Sequence, residues 1–413
     1  MIDSIKYTLD NGLRLIVHPD HSTPMAAVNL LYNVGAKDED PNRTGFAHLF
    51  EHLMFGGSVN IPSFDEPLQR AGGDNNAFTN NDFTNYYITL PAQNIETAFW
   101  LESDRMLQLD FSEKSLNTQR NVVIEEFNQN YLNRPYGDIW LLLRPLAYTT
   151  HPYRWCTIGI TPDHIKQATL DQVKTFFYSH YAPNNAILSV AGPVEPDAIA
   201  ELAQRWFGSI ERRNVATRNL PTEPPQTEPR LLEVERDVPF DVLAQAFHMP
   251  NRTNAEFYTA DLITDALAGG KSGRLYQRLV REQQLFSSIN SFITGDIDNG
   301  LLVVQGQLAP NVAFEQAEQA VANELHQLAE QPLTNNELQK LYNRHEANIK
   351  FEEISVLDKA MTLGYHELIG QASDANLEVE RYNSVSAERV MQQARILFAP
   401  NNCSTLRYRA TKR

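Results

Sequence analysis

The sequence predicts an α+β protein made of two duplicated domains, each a mostly antiparallel sheet packed with helices, and three observations carry that reading. The chain has 413 residues, more than one ordinary compact domain holds, so two domains of about 200 residues follow. YAPNNAILSV at 181–190 and FAPNNCSTLRY at 398–408 share an aromatic-Ala-Pro-Asn-Asn start ahead of a strand-like run. Each closes its half of the chain, which is the mark of an internal duplication. Strands and helices are also mixed without the regular βαβ alternation of a parallel sheet.

The elements support this in order. LRLIVHPD and AAVNLLYNVG read as strands, and FAHLFEHLMFGG reads as a helix. NAFTNNDFTNYYITLP alternates apolar and polar residues around a tight Asn-Asn-Asp turn, as a hairpin does. IETAFWLESDRMLQ and the segment 115–131 are helical in spacing. TLDQVKTFFYSHY and SAERVMQQARILF, the stretches ahead of the two repeats, each open on a helix cap and carry apolar residues at helical intervals. RNVATRNLPTEPPQTEPR, residues 213–230, has four prolines and little apolar content, so it is a semi-rigid linker. The expected domains are therefore 1–212 and 231–413, joined by 213–230.

Composition excludes several classes of function. The formal net charge of −16 opposes nucleic acid, whose binding needs basic groups to displace counterions from phosphates. No apolar run approaches the roughly 18 residues of a membrane span, and MIDSIKYTLDNGLRL lacks the pattern of an export signal, so a cytoplasmic protein without a membrane partner is expected, with a periplasmic one, its signal removed, as the alternative. Cys156 and Cys403 lie far apart with no CxxC spacing, which argues against a disulfide framework or a thiolate metal site.

The stretch HLFEH, residues 48–52, carries chemistry. On a helix, positions three and four apart share a face, so His48, Glu51 and His52 point the same way. Neutral imidazole is a good zinc ligand, and a catalytic zinc uses three protein ligands and keeps a position open. Glu51, directly before His52, can stand beside that open position as a general base. Ala47, Leu49, Phe50, Leu53, Met54 and Phe55 make the helix apolar around most of its circumference, so it is buried. Three polar groups on a buried face are better explained by a metal than by solvent.

A third ligand has to come from elsewhere. NTQRNVVIEEFNQNY, residues 117–131, offers Glu125 and Glu126. Read as a helix, it sets Glu126 in line with Val122 and Val123, facing inward, and Glu125 with Asn121, Asn128 and Gln129. Two solvated helix carboxylates are the competing reading of the pair.

HLFEH, the following AGGDNNAFTNNDFTNYY, and QRNVVIEE some 70 residues on resemble the pitrilysin and mitochondrial processing peptidase family of inverted HxxEH zinc metallopeptidases, and nearly the whole chain resembles its short two-domain bacterial members. The resemblance implies a processing-peptidase-like fold, one Zn2+ per chain held by His48, His52 and Glu126, and Glu51 as the base that activates water. It implies a metalloendopeptidase acting on unfolded peptides or oligopeptides, with Asn76 and Ala77 on an edge strand that aligns the substrate backbone. The second domain is implied to be an inactive repeat that contributes to the substrate chamber. Short members usually work as dimers, so a dimer is expected.

Two departures from the family pattern bear on activity. Gln119 stands where members often carry a second glutamate, seven residues before the ligand. In the second half Arg281 remains in VREQQLFSSI as a substrate-binding candidate, but Ser287 stands about where the family has a tyrosine, and Tyr276 precedes the arginine. A heterodimer whose other subunit supplies the arginine and tyrosine follows as one expectation, and a homodimer is the competing one. The alternative function is a noncatalytic core or assembly subunit, and a purely structural zinc would demand four protein ligands. GGKS at 269–272 imitates the tail of a phosphate-binding loop, but Asp265 occupies the place of its first glycine, so a turn at a helix start is the reading.

Overall fold

Two sheets organise the chain, whose computed structural model describes residues 1–411. The first contains β1 (Ile5–Thr8), β2 (Arg14–Pro19), β3 (Met25–Tyr32), β4 (Asp74–Thr79), β5 (Thr84–Pro91) and β6 (Ala186–Gly192), in the order β1-β2-β6-β3-β5-β4. The second contains β7 (Arg230–Arg236), β8 (Val242–His248), β9 (Phe286–Ile293), β10 (Leu301–Leu308) and β11 (Cys403–Ala410), in the order β7-β11-β8-β10-β9. Neighbours run antiparallel except β2 beside β6 and β7 beside β11. The two sheets thus share one connectivity, with β1 added to the first. The α+β class and the duplication both stand.

The repeated Ala-Pro-Asn-Asn has a physical reason. In each half it forms a 3-10 turn, Pro183–Asn185 or Pro400–Asn402, that leads into the strand with the parallel partner. The Asn185 amide donates to the carbonyl of His180, at the end of the preceding helix, at 2.8 Å, and to that of Asn33 at 3.2 Å. Asn402 repeats this with Leu397 at 2.8 Å and His248 at 3.0 Å. One side chain satisfies a helix-end carbonyl left without an intrahelical partner and ties the turn to a neighbouring segment of the sheet.

Four helices follow β3 and β5: α1 (Phe46–Leu53), α2 (Asp65–Arg70), α3 (Ile95–Leu107) and α4 (Glu113–Phe127). The strand from Ala26 to Tyr32 is buried throughout, as expected of a strand covered on both faces. Among the described residues no helix is long and apolar enough to cross a membrane. Both cysteines are free thiols, Cys156 buried.

The division into two bodies differs from a cut at 213–230. One unit holds residues 1–129, 155–220 and 349–377; the other holds 130–154, 221–348 and the chain from Glu378 onward. The helix Ile139–Ala147 packs its Ile139, Leu143 and Ala147 on Ala244, Ala246 and Leu406 of the second sheet. The helix Val356–Ile369 sets Val356 and Ala360 on Ala27 and Ala191 of the first. Each half lends one helix to the other's sheet, which periodicity cannot reveal, because it reports that a helix has an apolar face and not which sheet receives it. The proline-rich run is pinned along its length. Arg218 pairs with Asp38 in the first unit, and the Glu223 carboxylate accepts the amides of Thr149, Thr150 and His151 in the second.

Candidate metal centre

α1 begins at Gly45, whose φ of 88° is a left-handed turn that favours glycine. Phe46, Ala47, Leu49, Phe50 and Leu53 are its buried residues, and Phe50 stacks on Phe176 and Tyr181, each with ring centroids 5.1 Å away. With that face spent on packing, His48 and His52, one turn apart, are left on the side toward α4. α4 is capped by Ser112, whose side chain accepts from the Ser115 amide, and it passes into a π-helical turn at Asn128–Leu132. Spacing predicts one helix over 115–131; the π turn replaces its last residues, starting two residues after Glu126, and such turns are frequent at functional sites.

Three side chains converge. The Nε2 atoms of His48 and His52 are 3.3 Å apart. Glu126 Oε2 is 3.6 Å from the first and 3.5 Å from the second. A tetrahedral ion with ligand bonds of about 2.0–2.1 Å spaces its ligand atoms about 3.3–3.4 Å apart, so the three atoms outline one face of such a tetrahedron. His48, His52 and Glu126 form the one group of three or more potential ligands among the described residues. Two imidazole nitrogens and one carboxylate oxygen are also the donor set zinc takes, and the fit holds on both counts.

The electrostatics agree with that arrangement. Burial above all, with His52 adding to it against the pull of Glu126, lowers the His48 imidazole to about 4, so it is the neutral form that presents a lone pair. Glu126 is lowered, first by its hydrogen bond to His52. Its neighbour Glu125 is exposed and Glu126 half-buried, the order that helical spacing predicts for the pair. Glu51 lies on α1 between the histidines and outside the group of three. Burial raises its carboxyl, Thr79 and His52 pulling the other way. Thr79, at the end of β4, was missed by the sequence reading; its place in the run NAFT, two residues past Ala77, was the available signal.

The remaining candidates sit as follows. Asn76 and Ala77 lie on β4, the edge strand, paired with Tyr87 and Tyr86 of β5. The Ala77 amide donates to its neighbour's Asn76 Oδ1 at 2.8 Å. Gln119 is on α4, half-buried, two turns before Glu126. Arg281 belongs to the other unit, in a π-helical segment Tyr276–Glu282, where its guanidinium donates to Gln277 Oε1 at 3.2 Å. Ser287 is the second residue of the edge strand β9 and donates to the Gln307 carbonyl at 3.2 Å. GGKS forms a 3-10 turn ahead of that π-helical segment, with Lys340 donating to Ser272.

Comparison with known proteins agrees with this geometry. Residues 14–135, which contain His48, Glu51, His52 and Glu126, match the family model described as insulinase, peptidase family M16, and residues 167–344 match the one described as peptidase M16 inactive domain. The chain is 31% identical over 361 residues to the zinc protease PqqE of Helicobacter pylori, covering 86% of this chain and 80% of that one. It is 25% identical over 396 residues to the uncharacterized zinc protease YmxG of Bacillus subtilis, covering 95% of each. A crystal structure of a protease from Helicobacter pylori superposes with a TM-score of 0.92 at 27% identity, covering 99% of this chain and all of that one. The chain belongs to peptidase family M16.

Proposed function

We propose that this chain is a zinc-dependent metalloendopeptidase that hydrolyses unfolded peptides or oligopeptides, with His48, His52 and Glu126 holding one Zn2+ and Glu51 acting as general base. The observation that carries the reading is the triangle of His48 Nε2, His52 Nε2 and Glu126 Oε2, with edges of 3.3, 3.5 and 3.6 Å, beside a helix that also bears a half-buried carboxyl outside the triangle. A purely structural zinc would want a fourth protein ligand, which the group of three does not offer.

Zinc bound there supplies Lewis acidity, which polarises a scissile carbonyl and makes water a better nucleophile. The rest falls to the chain's own groups. The two imidazoles and Glu126 orient the site from two helices packed side by side. Glu51 takes the proton of the attacking water and returns it to the departing amine. β4, with one edge free of strand partners, receives an extended peptide as an added strand, which reads backbone rather than sequence. Asn76 then turns away so that the Ala77 amide meets the substrate.

The chain's assembly is part of the same proposal: a dimer, either of two copies or with a homologous subunit that supplies an arginine and tyrosine pair. The test is zinc content by elemental analysis together with hydrolysis of a quenched peptide, removal of the metal by chelator and its return. One zinc per chain with activity that follows it supports the peptidase; stoichiometric zinc without hydrolysis under any assembly would assign the chain to a noncatalytic subunit.

A further inference from the structure

The first turn of α1 has no cap of its own. Gly45 is its N-cap residue and offers no side chain, although a helix start leaves four amides without partners and is ordinarily closed by Ser, Thr, Asp or Asn at this place. None of these fits here. A Cβ on Gly45 would come within 2.8 Å of the Ile158 carbonyl and 2.9 Å of the Ile165 side chain, and the φ of 88° disfavours any other residue. Thr44, one position earlier, is committed elsewhere: its hydroxyl lies 2.9 Å from His164 Nδ1 and accepts the Ile160 amide at 2.8 Å.

Glu39 closes the turn from six and eight residues away. Its Oε2 accepts the Gly45 amide and its Oε1 the Ala47 amide, both at 2.8 Å. The side chain is buried and its backbone is held in turn, since the preceding 3-10 turn Ala36–Asp38 is fixed by the Trp155 indole on the Ala36 carbonyl and by the Gly35 amide on Asp38. Burial pushes the Glu39 carboxyl up to about 8 against the opposing effect of the two amides. Both carboxyl oxygens are thus engaged on the first turn of α1, and the second of the two amides belongs to the residue directly before His48.

We propose that Glu39 is a positioning residue of the metal centre: its bidentate grip on Gly45 and Ala47 sets the direction in which α1 starts, and so the distance at which His48 and His52 face Glu126. The inference rests on the zinc reading of that site. A helix of eight residues is too short to hold its own axis, because short helices take their stability from contacts outside themselves. With the grip released, the first turn frays, and His48, three residues past Gly45, moves before His52 does. The ligand triangle widens while the sheet beneath it keeps its packing.

The test compares wild type, Glu39→Gln, Glu39→Ala and, as a control destabilised elsewhere in the same unit, Asp20→Asn. Each full-length chain is stripped of metal, and zinc affinity is read by chelator competition, the visible spectrum of the Co2+ form reports ligand geometry, and urea unfolding reports global stability. Zinc affinity should fall by about tenfold or more in Glu39→Ala, with an altered Co2+ spectrum, and by less in Glu39→Gln, which keeps one acceptor oxygen. Asp20→Asn should match wild type in both metal readouts even where its unfolding midpoint drops as far. Should the alanine variant fail to fold, the isosteric glutamine variant carries the comparison. Wild-type affinity and spectrum in the Glu39 variants, or an equal loss in Asp20→Asn, would overturn the proposal. A wild-type chain that binds no zinc would instead remove the reading on which it rests.

Discussion

Nε2 of His48 and Nε2 of His52 face each other at 3.3 Å, with Oε2 of Glu126 within 3.6 Å of both. Two imidazole nitrogens that close can share at most one proton, whereas a cation between them takes a lone pair from each.

Ligand and base are separable by substitution. His52→Ala and Glu126→Ala should each lose most of the zinc, while Glu51→Gln should retain one zinc per chain and lose about 100-fold or more in kcat, the range of a missing general base. Zinc per chain and turnover of a quenched peptide are measured side by side. Full activity in Glu51→Gln would rule out the base, and unchanged zinc in Glu126→Ala would move the third ligand to Glu125 or beyond.

The edge strand makes a second, independent prediction. Ala77→Pro removes the amide that Asn76 Oδ1 now occupies and deprives an incoming peptide of one backbone donor. KM for a long unfolded peptide should rise about tenfold, the equivalent of one hydrogen bond of about 1.4 kcal/mol, with zinc content unchanged. Asn76→Ala, which frees the same amide, should not raise KM through loss of that donor. Equal KM for wild type and Ala77→Pro would dismiss strand addition at this edge.

The proposed dimer is tested at two residues of the second unit. Arg281 has Gln277 as its hydrogen-bond partner, and Ser287 donates to the Gln307 carbonyl. If a partner supplies the arginine and tyrosine, the purified chain binds zinc but turns over slowly, and the partner raises turnover well beyond tenfold. Light scattering with kinetics distinguishes this from a homodimer. A fully active homodimer crippled by Arg281→Ala would end the heterodimer idea.

Acid stability should depend on one long-range ion pair. Lys359 Nζ lies 2.6 Å from Asp20 Oδ2, tying the helix Val356–Ile369 to the first unit. Burial alone would raise the Asp20 carboxyl, but Lys359 and Ser22 overcome it and hold it well below the usual carboxylate range. A depressed folded-state value means stability that is present above the unfolded value of about 3.9 and is lost as pH falls through the folded one. Urea unfolding of the wild type between about pH 5 and pH 2 should therefore lose about 2 kcal/mol that Asp20→Asn lacks at every pH. Parallel pH profiles for the two chains would contradict the assignment.

What the sequence by itself determined is what local spacing determines. His48, Glu51 and His52 share a helix face because four residues make about one turn, the hairpin of β4 and β5 follows from alternation around Asn80, Asn81 and Asp82, and the duplicated Ala-Pro-Asn-Asn marks the equivalent strands β6 and β11. Tertiary structure decided what spacing leaves open. It brought Glu126, which spacing already turns inward, to within 3.6 Å of both histidines, since only the packing of α4 against α1 sets which helix that face meets. It sent the helices Ile139–Ala147 and Val356–Ile369 to the sheets of the opposite halves, because an apolar face specifies burial and not a partner. It supplied the cap of α1 from Glu39, whose two hydrogen bonds cross a turn that Gly45 must make and that no side chain at Gly45 could both make and cap.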